Sequence, residues 1–424
     1  MPGEDGTTRR RFLETMATGA VAPYVLHSSV LAATPPSDRI TMGLIGVGKM
    51  CWGHLGAMLG RRQVRVLAVA EVDAVKRERA RKRADDHYAR QGASKGIDAY
   101  NDFRELLNRS DIDAVLNATP DHWHAIVCIR AAQAGKDIYS EKPFSLTLGE
   151  ARAMVEAAER YRVVFQTGSQ QRSDRRFRFA CEMVRSGRVG KLHTVHVNVG
   201  GPSVPCRLPG QPVRKGVDWD LWLGPAPWRP FHETICPPYT FKGWPQWRRF
   251  RDYSGGSMTD MGHHHFDIAQ WGMGTERTGP VKILPPNGKD VEMLTYKYAN
   301  GVTLHHTGGA ASIHFKGTDG EVMVGRGYLR TDPPDMMHTP IGPHEVHLYN
   351  SPNHHNNWLE CIRTRRPPIA EAEIGCRSVS ICHLGNLAYW LKRPLRWDPD
   401  REVFRGDAEA NRWLDRPKRA PWRL

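Results

Sequence analysis

The sequence predicts an α/β chain: an N-terminal parallel sheet wound by helices, then a C-terminal α+β domain with a large, mainly antiparallel open sheet. Three observations predict it. Short β runs alternate with amphipathic helical patterns from residue 39 to about 161. The first β run breaks into the turn Gly46-Val47-Gly48. Beyond residue 167, spaced β runs are separated by long loops rich in Pro, Trp and Gly, especially over 200–248.

In the first part, strands are expected over 40–46, 64–71, 114–118, 137–140 and 163–167. Helices are expected over 73–88, 103–109, 124–134 and 148–160. In the second part, β runs cover 192–198, 291–298, 302–306 and 321–325, and a helical segment covers 376–390. With 424 residues and 40% apolar composition, the chain can bury a core for two domains at about 150 residues each. The division expected is 36–165, 166–400 and a polar tail over 401–424. No internal repeat or low-complexity segment interrupts it.

The β run 39–45, the turn through Lys49, Met50 and Cys51, and an acid, Glu71, at the end of the second β run form a dinucleotide fingerprint. The glycines allow a tight strand-to-helix turn, the helix N-terminus receives a pyrophosphate, and the acid holds a ribose diol. The first domain is therefore read as a Rossmann domain. Cys51 stands where Gly or Ala is usual and is small enough to fit. Glu71 favours NAD, because a carboxylate repels a 2′-phosphate. Lys76 and Arg77 follow closely and keep NADP open.

Residues 1–35 are set apart from the fold. Thr8-Arg9-Arg10-Arg11-Phe12-Leu13 precedes a weakly apolar stretch that ends in Val30-Leu31-Ala32. This is the pattern of a twin-arginine export signal, with the export machinery as a partner and a periplasmic or otherwise exported location. No later segment is long and apolar enough to span a bilayer. The formal net charge of +15 arises from basic residues spread along the chain. No nucleic-acid motif accompanies them, so they read as a cationic surface or a preference for acidic sugars. The eight cysteines show no CxxC and no zinc or disulfide spacing.

Three clusters carry chemistry. Thr119-Pro120-Asp121-His122-Trp123-His124 follows one β run, and Glu141-Lys142-Pro143 follows the next. The third, from Gly255 to Asp267, is a glycine turn opening into a helix. There Asp260, His264, Asp267 and Trp271 share a face, and a carboxylate one turn from an imidazole fixes its tautomer and raises its basicity. An imidazole base with a lysine polarising the same oxygen suits removal of an alcohol proton during hydride transfer. Two other readings stand beside this one. A divalent metal would bind through His263 and Asp267 or through Asp260 and His264, and Asp260 alone would cap the helix. Neighbouring histidines on a helix diverge by about 100°, and no metal is expected. Trp219, Trp222, Trp228, Trp244 and Trp247 offer stacking faces for sugar rings or, equally, packing for a lid.

Gly46-Val47-Gly48, Glu141-Lys142-Pro143 and Asp260-Met261-Gly262-His263-His264, in this order, resemble the Gfo/Idh/MocA oxidoreductase family, which includes glucose-fructose oxidoreductase and inositol dehydrogenase. The resemblance runs from Arg39 to about Asp400. It implies that Lys142 contacts substrate and nicotinamide, that His264 is the acid/base and that Asp260 supports it. It also implies that His124 lies near the cofactor, that Gln170 or Gln171 and Arg172 lie near the nicotinamide or substrate, and that the open sheet builds a homo-oligomer, a dimer or tetramer. The cofactor-binding set expected is Gly46, Gly48, Lys49, Met50, Glu71, Thr119, Pro120, His124, Glu141, Lys142 and Gln170. His263 and His265 crowd the active imidazole.

The function expected is NAD(P)-dependent oxidation of a CH–OH group in a sugar or sugar derivative, on a cofactor bound tightly and regenerated on the enzyme, since an exported protein meets no free NAD pool. The alternatives are a redox-neutral epimerase, lyase or glycosidase working through a transient keto-sugar, and a non-catalytic sugar-binding protein.

Overall fold

A computed structural model describes residues 38–93 and 96–424, so the expected export signal lies outside the described residues. The first half alternates β1 (Ile40–Ile45), α1 (Lys49–Leu59), β2 (Val64–Ala70), α2 (Ala74–Ala89), β3 (Asp98–Tyr100), α3 (Phe103–Leu107), β4 (Ala114–Asn117), α4 (Asp121–Gln133), β5 (Asp137–Ser140), α5 (Leu148–Arg160) and β6 (Phe165–Thr167). The six strands form one parallel sheet in the order β3-β2-β1-β4-β5-β6. Helices cover both faces, so β1, β2 and β4 are near-continuous apolar runs rather than alternating ones. The strand order reverses between β1 and β4, which is where ligands of such sheets bind. Edge strand β3 escapes the sequence reading because its three residues are only half-buried and carry no apolar run.

A 3₁₀ turn (Gln170–Ser173) leads into α6 (Arg175–Arg185), β7 (Leu192–Asn198), α7 (Trp219–Leu223), α8 (Ser257–Asp260) and α9 (Gly262–Met273). Then come β8 (Lys282–Leu284), β9 (Leu294–Lys297), β10 (Thr303–Thr307), β11 (Ser312–Gly317), β12 (Glu321–Gly325), β13 (Tyr328–Asp332), α10 (His354–Thr364), α11 (Ala372–Leu391), β14 (Leu395–Asp398), β15 (Val403–Phe404) and α12 (Ala408–Asn411). The nine strands run β13-β12-β11-β7-β10-β9-β8-β14-β15. All neighbours are antiparallel except β7 and β10. Alternation sorts the two faces. Val195, Val197, Leu304, Ile313, Phe315, Val322 and Val324 pack on Phe266, Ile268 and Ala269 of α9 and on Ile381, Leu384 and Leu387 of α11. Thr194, His196, His305, His314 and Lys316 stand on the other face, half-buried or exposed, where among the described residues no helix packs.

Late segments return to the first sheet. Trp358 and Leu359 of α10 complete the core beneath β1 and β4, and Ala372, Cys376 and Val379 of α11 join the core of α4 and α5. Residues 401–424 are anchored as well: β15 pairs with β14, and Trp422 meets Trp123 edge-on with ring centroids 4.7 Å apart.

Candidate active site

The turn after β1 builds a cleft of about 320 Å3 lined by Gly46, Val47, Gly48, Lys49, Met50, Glu71, Thr119 and Pro120, among others. Gly46 has φ +78°, and a Cβ there would lie 2.7 Å from the Thr119 backbone nitrogen, so only glycine lets β1 and β4 open side by side. Gly48 faces empty space, and no side chain caps the N-terminus of α1 behind it. That leaves room for a phosphate to approach the free N–H groups of the helix. Glu71, at the tip of β2, accepts from the Asp73 backbone N–H at 3.0 Å. Burial raises its carboxyl pKa while the Lys76 charge opposes the rise. Lys76 also reaches Asp73 at 3.4 Å, and Arg77 donates to the Glu71 carbonyl at 2.5 Å and to Asn101. Both cations that kept NADP open are thus engaged within the chain, and the cradle fits a dinucleotide with a free ribose diol.

A second wall comes from far along the sequence. Residues 235–248 lie across the cleft as a strap that contributes Ile235, Cys236, Tyr239, Phe241, Trp247 and Arg248 to its lining. Lys49, at the phosphate turn, donates to the carbonyls of Lys242 (2.6 Å) and Gly243 (3.1 Å) and sits 5.1 Å from the Trp244 ring centroid. Arg79 of α2 lies between Trp52 and Tyr239, 4.8 and 3.9 Å from their ring centroids. Of the five tryptophans singled out, Trp222 and Trp247 line the cleft, Trp219 stacks on Trp222 at 4.8 Å, and Trp228 and Trp244 are exposed.

Beside the cleft, the β5 terminus carries Lys142, whose Nζ donates to Asp260 Oδ1 at 2.6 Å and to the Asp260 carbonyl at 2.8 Å. Burial works against the Asp260 carboxylate, but the charges of Lys142 and Arg248 outweigh it and hold its pKa below the usual range. The expected single helix through Asp260 and His264 is broken at Met261 into α8 and α9. Asp260 therefore turns to Lys142 and does not fix the His264 tautomer. His264 is buried, its Nδ1 has no partner, and burial together with the nearby Lys142 and Arg326 charges keeps the imidazole neutral well below its ordinary pKa. Its neighbours are committed elsewhere: His263 meets Ser169 Oγ at 3.1 Å and His265 meets the Met261 carbonyl at 3.0 Å. Asp267 belongs to the buried Arg172, which bonds it at 2.8 Å and reaches Glu276 at 3.0 Å. Neither pair considered for a metal is free, and among the described residues no cluster of three metal-type ligands occurs.

Gly46, Gly48, Lys49, Met50, Glu71, Thr119 and Pro120 thus meet in the cleft, whereas His124, Glu141, Lys142 and Gln170 lie outside its lining. Both ring nitrogens of His124 face backbone carbonyls, of Pro143 at 2.7 Å and Thr119 at 2.9 Å, so it ties the two strand-end loops together. Glu141 is buried behind Lys142, accepting from Gln170 at 2.7 Å and meeting His54 Nε2 at 2.9 Å. Burial would raise its carboxyl, but the His54 hydrogen bond, the Lys142 charge and Gln170 bring it to about 2. Sequence reasoning missed four residues. His54, on α1, reaches Glu141, and Asp121, the first residue of α4, is pushed up to about 7 by burial and the Asp260 charge. Arg248 lies with its Nε 3.8 Å from Asp260 Oδ2, and Arg326, in the turn between β12 and β13, donates to Gln171 at 3.2 Å. Only Asp121, inside the Thr119 to His124 cluster, had a motif to mark it.

The fold and these positions decide the kinship. Residues 40–169 match the model of the oxidoreductase family's NAD-binding Rossmann fold, and residues 203–424 match that of its C-terminal alpha/beta domain, both of the Gfo/Idh/MocA type. The chain belongs to the Gfo/Idh/MocA oxidoreductase family. Residues 40–169 are its NAD-binding domain, and NAD is the dinucleotide it takes. YrbE of Bacillus subtilis (strain 168), an uncharacterized oxidoreductase, is 25% identical over 274 residues, 62% of this chain and 65% of that protein. A glycosyl hydrolase family 109 protein of Shewanella sp. (strain ANA-3) is 31% identical over 176 residues, 41% of this chain and 38% of its own length. The chain spans less than two thirds of the length of either relative. The WlbA dehydrogenase of Bordetella pertussis, solved with NADH and UDP-GlcNAcA, superposes with a TM-score of 0.59 at 17% identity, over 85% of this chain and 99% of its own, a likeness of fold.

Proposed function

We propose that this Gfo/Idh/MocA protein oxidises a CH–OH group of a sugar or sugar derivative, and reduces the corresponding carbonyl, on a tightly held NAD. The observation that carries the reading is the Lys142–Asp260 pair, reached at 3.8 Å by Arg248 of the cleft wall, with the Lys142 charge acting on a buried, neutral His264 whose Nδ1 has no partner. The bound dinucleotide supplies a two-electron acceptor for the hydride leaving the carbinol carbon. His264 takes the hydroxyl proton on a free ring nitrogen and returns it in the reverse direction. Lys142, oriented by Asp260, donates a hydrogen bond to the same oxygen as it becomes a carbonyl. A panel of neutral sugars, uronates and glycosides, scored by the reduced-nicotinamide absorbance of the protein, tests the reading. K142A and H264A that still bind NAD but no longer reduce it would support it, and full activity in either would refute it.

The strap supports retention. With residues 235–248 latched over the phosphate turn by Lys49, NAD leaves only after the strap lifts, which suits a cofactor regenerated in place after folded export through a twin-arginine signal. Purification without added cofactor, followed by denaturation, should release nicotinamide dinucleotide, and apo protein that turns over added NAD would contradict retention. Arg9→Lys with Arg10→Lys should hold the protein in the cytoplasm. Assembly through the uncovered sheet face into a dimer or tetramer is part of the same reading, and sedimentation analysis of the purified protein checks it.

A second reading has one observation in its favour, the similarity to a glycosyl hydrolase family 109 protein. Transient oxidation of a hydroxyl by NAD, elimination of the aglycone, addition of water across the resulting double bond and return of the hydride to the ketone would then cleave a glycoside without net redox change. Release of phenol from an aryl glycoside with no net NADH distinguishes it.

A further inference from the structure

The substrate end of the site carries more positive than negative charge. Among the described residues Asp260 is the one carboxylate bonded to the Lys142 ammonium, at 2.6 Å, and it also faces Arg248 at 3.8 Å, so two cations share this anion. Arg248 Nη1 is buried without a hydrogen-bond partner. Arg326 adds a third cation near His264. It donates to Gln171, which in turn donates to the His264 carbonyl at 3.4 Å, and its charge reaches the His264 ring. Among the described residues no carboxylate pairs with Arg326. Of the other nearby anions, Asp267 and Glu276 pair with Arg172, and Glu141, bonded to His54 and Gln170 behind Lys142, keeps its charge, so three cations stand against the two carboxylates of Asp260 and Glu141. Asp121 is buried, and burial pushes its carboxyl up to about 7, so at neutral pH it offsets only part of the remaining charge.

Arg326 is exposed in the turn between β12 and β13 and is tied to the site through Gln171. The turn between β11 and β12 packs at the far end of α6, where Gly190 meets Asp319, so the next turn, holding Arg326, falls at the near end of α6 beside Gln171. A guanidinium there, with its fork of N–H donors unpaired by any acid, matches a planar carboxylate. Resting on the reading above, we propose that the substrate is an acidic sugar, a uronate or aldonate, whose carboxylate is held by Arg326 while Lys142 and His264 address a ring or chain hydroxyl.

Two measurements on the purified NAD-loaded protein test this. Calorimetric titration with glucuronate, galacturonate and gluconate, against glucose and galactose, reads binding without requiring turnover. Reduction of the bound cofactor by the same compounds reads chemistry. The acidic sugars should bind about 10- to 100-fold tighter than their neutral counterparts, the range expected of a charge-assisted hydrogen bond. R326Q should raise KM for the acidic sugar far more than it lowers kcat and should narrow the acidic-to-neutral ratio of kcat/KM; R326K should restore part of it. Equal binding of neutral and acidic sugars, a preference for glucose 6-phosphate, or an unchanged ratio in R326Q overturns the carboxylate proposal. Tight uronate binding with no reduction of the cofactor by any sugar would uphold it while removing the dehydrogenase reading.

Discussion

Lys142 and Asp260, 118 residues apart, are joined by two contacts, 2.6 Å to the carboxylate and 2.8 Å to the backbone carbonyl of the aspartate. The lysine is therefore oriented both by a charge and by the end of α8, and the aspartate acts through the lysine rather than through His264. D260N keeps the shape of the pair but removes its charge. It should lower kcat about 10-fold or more, leave NAD content unchanged and shift the pH profile of kcat, whereas D260A should lose more because the backbone contact alone holds Lys142 loosely. Steady-state kinetics across pH, with extracted NAD as the control, checks this.

His264 differs from its neighbours in having no assigned partner. H264A should lose about 10²- to 10⁴-fold in kcat with the fold retained. H263A and H265A, which break contacts to Ser169 and to the Met261 carbonyl, should cost stability before they cost turnover. Paired kcat and Tm measurements on the three variants separate the cases; H263A matching the kcat loss of H264A would move the acid/base assignment.

The strap is held by the Lys49–Lys242/Gly243 hydrogen bonds and two ring contacts, Trp244 with Lys49 and Tyr239 with Arg79. Removing both rings in Y239A/W244A should speed NAD loss roughly tenfold, since an exposed cation–π contact contributes about 0.5–1 kcal/mol. Loss of protein-bound NAD on rapid dilution into a scavenging dehydrogenase gives the rate.

The buried pair of His54 and Glu141 predicts a large stability effect. Removing His54 takes one hydrogen bond from a buried carboxylate that keeps Gln170 and the Lys142 N–H, at a cost of about 1.5–3 kcal/mol. H54A should therefore lower Tm by several degrees, and the double replacement H54L/E141Q should recover part of the loss. Denaturant titration of the three proteins measures it.

Acid should unfold this protein from the histidine side. His122, His263, His264, His265, His354 and His383 are all buried, and burial holds them neutral, His263, His265 and His354 to about 4 and His122 and His383 to about 3. In the unfolded chain they take up protons below about 6.5. As pH falls below that value the unfolded state binds protons that the native state cannot, and stability is lost between about pH 6.5 and 4. Glu141, with its carboxyl held near 2, adds stability that is present above about pH 4.5 and lost as pH falls towards 2. Asp121, raised to about 7, and Glu71 and Glu150, also raised by burial, act in the opposite sense, three groups against six. Tm measured from pH 8 to 5 should fall steeply below pH 6.5; a flat profile would show that these histidines have access to protons when folded.

The first sheet was legible in the sequence because its strands are short apolar runs closed by glycine or a polar strand end, and the fingerprint needs only local geometry. Lys142 was legible for the same reason, standing at a strand tip before a proline. The pairing of Asp260 was not, because helical spacing assumes one continuous helix and the break at Met261 turns the aspartate away. His54 and Arg326 were invisible because each acts across more than 80 residues, and Arg248 because its approach to Asp260 is made only once the strap has folded back. Nor did spacing separate the cleft residues from His124 and Gln170, whose side chains brace the strand-end loops from behind.

Lys142 and His264 acting on one substrate oxygen is the claim from which the rest follows. The most direct test is the single-turnover rate of bound-NAD reduction by an active sugar in the parent protein, K142A, H264A and the double variant. Each single change should cost about 10²- to 10⁴-fold, and the double should cost little more than the worse single, as for groups that work as a unit. Reduction at the parent rate in either single variant, with NAD fully bound, would contradict the account.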